Sequence, residues 1–332
     1  MTLNARVVLA NRPTGRPLVE NFRLESVRLP TPGEQQVLVR NDWLSLDPYM
    51  RGRMMDIRTY AEPVPIDGVM VGDTAGVVVA SHHPDFSPGD TVAGHLGWQR
   101  YGVADAAALR RVDATQVPLS AHLGVAGMPG VTAYVGMLDL CDPRPGDTVV
   151  VTAAAGAVGS VAGQLAKLHG CRVVGVAGGP DKCRHVREQL GFDDCIDYKA
   201  ADLPERIKQA LPDGVDCVFE NVGGAVFNLL AARLNTFARV TLCGVIAELD
   251  DPAPQALKRL LPLIVKRVRM QGFIVGDHAA RWPAAVAELS GHLADGRLKH
   301  HETVAEGLAA APQAFIGMLQ GRNLGKQLVR LG

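Results

Sequence analysis

The stretch Asp147 to Lys167, DTVVVTAAAGAVGSVAGQLAK, narrows the possible folds of this chain more than any other. Thr148 to Val151 is β-branched and apolar without alternation, the pattern of a parallel strand buried on both faces. Ala154, Gly156 and Gly159 then occupy the spaced positions of the fingerprint G-x-G-x-x-G, with alanine in the first place. A side chain at position 156 would keep the backbone from a pyrophosphate, and one at 159 would push the following helix off the strand. Val158, Val161, Ala162, Leu165 and Leu168 follow at helical spacing, and Gly170 offers a left-handed stop. The free amides of that helix's first turn, with its dipole, would face an anion. Small residues at such a turn also serve packing alone. The second apolar run, Cys171 to Ala177, lies at the distance a βαβ unit requires and favours the nucleotide reading.

From Asp147 the chain alternates strand and helix. Strands are expected at Thr148 to Thr152, Cys171 to Ala177, Cys195 to Tyr198, Asp216 to Glu220, Arg239 to Gly244 and Val268 to Val275. That order predicts a doubly wound parallel sheet with ligands at its carboxyl edge. Upstream, Val37 to Arg40, Thr74 to Ala80 and Thr91 to Gly94 are short strands between Pro-Gly turns, the pattern of a barrel-like β domain. Between them the Gly- and Ala-rich stretch His122 to Leu140 suits closely packed helical pieces. The tail breaks the alternation with a helix over Glu306 to Gln320, the turn GRNLGK at 321–326 and a strand from Gln327 to Leu331. It is expected to rejoin the first domain. The fold expected is therefore α/β, with a barrel domain of residues 1–120 and 299–332 and a nucleotide domain of residues 121–298.

A chain of 332 residues, 47% hydrophobic, can bury cores for two domains. Thirty-four basic and thirty-four acidic residues cancel, so no global field draws nucleic acid or an anionic membrane. Met1 to Pro13 lacks the apolar core of a signal peptide and no apolar run reaches spanning length, which makes the cytoplasm the expected compartment. The six cysteines are well separated, none at metal-binding or redox spacing, and read as buried reduced thiols.

AAAGAVGSVAGQLAK at 153–167, DPYMRGR at 47–53, ENVGG at 220–224 and GRNLGK at 321–326 together resemble the zinc-free medium-chain dehydrogenase/reductases. Within these the chain is similar to the branch of prostaglandin reductases, alkenal double-bond reductases and curcumin reductase, from about residue 5 to the C-terminus. The resemblance implies a GroES-like β-barrel domain joined to a Rossmann domain. It also implies NADPH-dependent reduction of the carbon–carbon double bond of α,β-unsaturated ketones or aldehydes, with a homodimer as the common assembly. Cofactor positions carried over are Ala157, Val158, Gly159 and Ser160 at the turn, together with Tyr198, Asn221 and Asn323. Each has a plain alternative, since Tyr198 can close a strand, Asn221 can cap a helix and Asn323 can serve a turn.

The residues themselves bear on the cofactor. About twenty residues past the turn, where an NAD-specific site places an acid against the ribose 2′-hydroxyl, the chain reads Ala177-Gly178-Gly179. Lys182, with Arg184 close by, offers cations to a 2′-phosphate or simply solvates the first turn of a helix; the resemblance tips this toward the phosphate and NADPH. The N-terminal domain has no cysteine, and His82, His83 and His95 do not make a convincing zinc set, so no metal is expected.

Hydride delivered to the β-carbon of an enone leaves charge on the carbonyl oxygen, and Tyr49 is the phenol chosen to stabilise that enolate. The α-carbon proton then comes from Tyr49 or from water. Tyr60, Trp98 and Tyr101 line a substrate pocket or belong to the barrel's core and rim. Gly276 stands where the mammalian prostaglandin reductases have a pocket tyrosine. Two other functions fit the residues: a quinone reductase using NADPH, and a non-catalytic NADPH-binding sensor.

Overall fold

The computed structural model describes residues 3–248 and 257–332. The chain divides into two compact units, Met1–Gly124 with Glu302–Gly332, and Val125–His301.

In the first unit β1 (Leu3–Leu9) and β2 (Phe22–Arg28) form an antiparallel ribbon running from the pair Leu3↔Arg28 to Leu9↔Phe22. Then come β3 (Gln36–Ser45), the short helix α1 (Tyr49–Arg53), β4 (Thr74–Ser81), β5 (Thr91–Gly94), β6 (Tyr101–Asp105) and β7 (Leu109–Arg111). Alternation along these strands sends Val37, Val39, Val78 and Val92 to one buried face. A second core gathers Phe22, Met50, Met70, Trp98 and Phe315.

The second unit holds α2 (Met128–Tyr134), β8 (Thr148–Thr152), α3 (Ala157–Leu168), β9 (Arg172–Ala177), α4 (Pro180–Glu188), β10 (Asp194–Asp197) and α5 (Leu203–Ala210). It continues through β11 (Val215–Glu220), α6 (Gly224–Ala231), β12 (Leu234–Leu242), α7 (Leu261–Val265), β13 (Arg269–Gly272) and α8 (Trp282–Ala294). Its sheet runs β10-β9-β8-β11-β12-β13 with every pair parallel. The order reverses between β8 and β11, so the carboxyl ends of those two strands flank the crevice where ligands of doubly wound sheets bind. The strands at the centre are apolar throughout, Val149, Val150 and Val151 on β8 and Cys217, Val218 and Phe219 on β11 being wholly buried.

The chain then returns to the first unit with β14 (Glu302–Glu306), α9 (Ala311–Leu319) and β15 (Lys326–Arg330). There the sheet order is β14-β15-β3-β4-β5-β7, with β6 also paired to β3.

Two sequence expectations need correction. The helix expected from Glu306 begins only at Ala311, because Glu302–Glu306 is extended beside β15 and Gly307 adopts φ 79°. The strand expected over Val268 to Val275 stops at Gly272, where its one neighbour β12 ends at Leu242, and Val275–Arg281 forms a 3-10 turn. Among the described residues no helix is long and apolar enough to cross a membrane.

Candidate active site

The Gly-rich turn leaves β8 through Ala153, whose φ of 50° is a left-handed conformation that costs a non-glycine residue about 1–2 kcal/mol. Gly156 takes the N-cap position of α3 in extended conformation, and no side chain caps the helix. The amides of Ala157, Val158 and Gly159 therefore lack intrahelical partners. A Cβ at Gly159 would sit 2.4 Å from the Ala153 carbonyl oxygen, so only glycine lets the helix close against the turn. Ser160 is buried and donates its backbone N–H to Gly156, 3.0 Å. This cradle fits the pyrophosphate of a dinucleotide at the carboxyl end of β8.

Beyond β9, the ring of Tyr198 covers Gly178, where a Cβ would meet its Cε1 at 2.8 Å. Tyr198 itself is 43% exposed. The Lys199 ammonium lies 5.9 Å from the centre of that ring. Lys182, in the first turn of α4, is half-buried, and burial first and the charge of Lys199 second push its ammonium below the usual lysine range. A phosphate bound near both lysines would offset that repulsion. Arg184 pairs with Asp181 at 3.0 Å on an exposed face. Asp197 braces the turn from behind, accepting the N–H groups of Gly179 (2.8 Å) and Lys199 (3.0 Å). Sequence reading missed Lys199. The parallel register Asp197↔Ala177, which brings the residues after both strands together, was the signal that pointed to it.

At the switch point itself Glu220 ends β11, wholly buried. Its Oε1 accepts the Thr152 hydroxyl (3.0 Å) and the N–H groups of Val222 (2.6 Å) and Gly223 (2.7 Å). Asn221 donates its backbone N–H to Thr152 Oγ1 and its side-chain Nδ2 to the Thr152 carbonyl, each at 2.7 Å. One Nδ2 hydrogen of Asn221 thus ties the 220–224 turn to the phosphate turn. Glu220 Oε2 has no partner among the described residues, and burial pushes this carboxyl up against the pull of its N–H donors. Burial thus favours the protonated form more than in an exposed glutamate. An acid whose folded pKa is raised favours folding below the unfolded value of about 4.3 and loses that contribution as pH climbs. Glu220→Gln, which has no proton to lose, should therefore match the parent near pH 4 and gain stability on it by up to about 1.4 kcal/mol per pH unit above that, until the folded pKa is reached. Urea unfolding at pH 4.5 and pH 8 checks this; an equal difference at both pH values would mean that Glu220 is ionised in the fold.

In the first unit Tyr49 opens α1 and packs partly buried against the Trp98 core. The residues before it are bolted to β15. Lys326 Nζ contacts Asp47 Oδ1 at 2.5 Å and donates to the Leu46 carbonyl at 2.8 Å, while the Ser45 hydroxyl donates to Asp47 Oδ2. Both charged side chains of this pair are nearly inaccessible, 5% and 7% exposed. Burial, then the nearby Asp73 and Asp47 carboxylates, push the Tyr49 phenol well above the usual tyrosine range, with Arg53 opposing them. The hydroxyl is consequently a hydrogen-bond donor at every physiological pH. Asp73 in turn holds His95 at 2.8 Å.

Four other expected site residues remain to be placed. Trp98 is wholly buried, stacked on Phe22 at 5.5 Å and edge-on to Phe315 at 5.6 Å, and so is core rather than pocket wall. Tyr60 is 61% exposed on the loop after α1. Asn323 Nδ2 donates to the Gly325 carbonyl at 2.9 Å and closes the turn that leads into Lys326. Gly276 lies within the 3-10 turn, with open space where a Cβ would stand.

Both units correspond to known families. Residues 5–112 match the N-terminal domain of oxidoreductase and residues 157–291 match the zinc-binding dehydrogenase family. Among the described residues no group of three or more His, Cys, Asp or Glu side chains is placed to hold a metal ion, so the residues do not fit zinc. The chain is 48% identical to the NADPH-dependent curcumin reductase of Escherichia coli, over 99% of this chain and 97% of that one. It is 38% identical to the NADP(+)-dependent 2-alkenal reductase of Nicotiana tabacum, covering 98% and 97%. The crystal structure of CurA from Vibrio vulnificus in complex with NADPH superposes with a TM-score of 0.95, at 46% identity and 99% coverage of both chains. A two-domain nucleotide-dependent oxidoreductase is thereby defined, its first unit GroES-like and its second a Rossmann sheet. The chain belongs to the medium-chain dehydrogenase/reductase family, in the group of the curcumin, alkenal and prostaglandin reductases.

Proposed function

We propose that this protein uses NADPH to reduce the carbon–carbon double bond of α,β-unsaturated ketones and aldehydes. The observation that carries the proposal is Tyr49, a phenol held protonated by burial and two carboxylates in a unit with no metal-binding cluster among its described residues. Such a group donates a hydrogen bond to an oxygen that becomes negative. NADPH, when bound, supplies the hydride, which goes to the β-carbon. Tyr49 holds the carbonyl oxygen as the enolate forms. A phenol with a raised pKa is a poor proton source, so the α-carbon takes its proton from water. Purified protein should convert a panel of enones to saturated carbonyl products that have gained two hydrogens. Bulky aryl enones should be accepted beside short alkenals, because Gly276 adds no side chain. Turnover confined to quinones would replace this reading with the quinone-reductase one.

The cofactor assignment rests on Gly156 to Ser160 for the pyrophosphate, on Asn221 in the turn beside it, and on Lys182 and Lys199, with Tyr198, for the 2′-phosphate. We place Asn323 with the cofactor-binding residues through the turn it closes. A charge-assisted hydrogen bond is worth about 1.5–3 kcal/mol. Lys182→Ala should accordingly weaken NADPH by about ten- to a hundredfold and leave NADH unchanged, as read by fluorescence titration. Equal losses for the two cofactors would remove Lys182 from the phosphate site.

A second copy of the chain is the macromolecular partner we propose. Among the described residues the outer edge of β13 is unpaired, and Leu260, Leu261, Ile264 and Val265, shortly before it in the chain, are 61–72% exposed. An open strand edge flanked by apolar side chains invites pairing. Sedimentation should give a dimer, and Ile264→Asp should shift it toward monomer; a monomeric parent protein would contradict this. The cytoplasm is the compartment we favour, since the six cysteines are free thiols and five of them are buried. Labelling of thiols in fractionated cells tests that placement.

A further inference from the structure

The segment from Tyr49 to Glu62 is rich in arginine, and the cations in and against it are almost all accounted for. Arg12 donates to the Met54 carbonyl at 2.9 Å and pairs with Asp56 at 3.4 Å. Arg51 donates to the Gly15 carbonyl at 2.7 Å, and Arg58 pairs with Glu62 at 3.0 Å. Arg53 differs. Its backbone carbonyl accepts Val64 N–H at 2.8 Å, yet its guanidinium has neither a carboxylate nor a hydrogen-bond acceptor among the described residues, and its Nε is buried.

Arg53 stands four residues after Tyr49 on α1, hence one turn further along the same face. It is close enough to the phenols of both Tyr49 and Tyr60 to favour their anionic forms. Around Tyr49 the other charges have opposite effect, since Asp47 and Asp73 both resist negative charge there. Asp47 is neutralised by Lys326 and Asp73 faces His95. Arg53 is left with unspent positive charge beside the one hydroxyl that an enolate would use. A partly desolvated guanidinium without an acceptor is costly, and an oxygen anion brought by a ligand removes that cost.

We propose that Arg53 is a second catalytic residue, whose guanidinium binds the carbonyl oxygen of the enone together with the Tyr49 hydroxyl and stabilises the charge that gathers on it. The proposal rests on the enone-reductase reading above. An interaction that strengthens as charge develops lowers kcat when removed, more than it raises KM.

The test compares Arg53→Met, Arg53→Lys and Arg53→Ala with the parent protein on a short alkenal and an aryl enone, alongside NADPH titration and thermal unfolding. In Arg53→Met, kcat should fall about ten- to a hundredfold on both substrates, with NADPH affinity and Tm unchanged because no partner among the described residues is lost. Arg53→Lys should recover part of the rate, and added guanidinium ion at millimolar concentration should partly restore Arg53→Ala. A kcat within twofold of the parent, a matching loss of NADPH affinity, or no rescue by either lysine or guanidinium would overturn the proposal. If the parent protein reduces no enone at all, the enone-reductase reading falls first and Arg53 with it; if the parent does so and the variants match it, Arg53 alone falls.

Discussion

Lys326→Met should destabilise the first unit by about 3–5 kcal/mol, the range found when one member of a buried ion pair is removed. The reason is what stays behind. Asp47, 7% exposed on its side chain, would keep only the Ser45 hydroxyl on Oδ2 and would lose the ammonium on Oδ1. The Leu46 carbonyl would lose its donor as well. Activity should suffer beyond the loss of stability, because Leu46, Asp47 and Pro48 set the start of α1 and therefore the position of Tyr49. The double variant Lys326→Met with Asp47→Leu removes both charges, and apolar replacement of a buried pair is often neutral or better. It should regain most of the lost stability in urea unfolding while its kcat stays low. A single variant as stable as the parent would show that the pair contributes nothing, and a double variant of normal activity would show that it does not position Tyr49.

Tyr49→Phe should lower kcat by about a hundred- to a thousandfold, the usual loss when one donor to a developing oxyanion is removed. The substitution keeps the ring that packs on the Trp98 core and deletes only the hydroxyl. Stability should hardly change, since no hydrogen bond from that hydroxyl to the described residues is lost. The kcat of the parent should also be flat through neutral pH as far as Tyr49 is concerned, because burial and the Asp73 and Asp47 carboxylates keep the phenol from ionising there. Single-turnover rates of the parent and of Tyr49→Phe separate this from product release. Rates within a factor of two would make Tyr49 a packing residue.

The parallel sheet was readable because strands buried on both faces are continuous apolar runs, as in Val149 to Val151 and Val173 to Val174. Edges were harder. Glu302–Glu306, with a glutamate at each end and only β15 beside it, has no strand signal of its own and reads as the approach to a helix. Val268 to Val275 has the apolar run of a strand, but pairing ends where β12 ends, which is a fact about a neighbour. Trp98 shows the same limit from the other side, since nothing in a tryptophan distinguishes a pocket wall from a core that Phe22 and Phe315 complete. The Gly-rich turn was legible because local spacing encodes it. Asp47 and Lys326 are 279 positions apart, and only the docking of β15 on β3 makes them a pair. Glu220 stood in a noticed motif, yet its raised pKa comes from complete burial, which only the folded sheet creates, against the pull of Thr152 and two backbone amides.

The central claim is that hydride goes to the β-carbon of the enone and that Tyr49 holds the carbonyl oxygen meanwhile. It is tested most directly by turning over an enone with NADPH carrying deuterium at the transferable nicotinamide position, in ordinary water, and locating the label in the product. The account predicts a saturated ketone or aldehyde with deuterium on the β-carbon and solvent hydrogen on the α-carbon. Deuterium on the carbonyl carbon of an allylic alcohol, or oxidation of the cofactor with the double bond left intact, would contradict it.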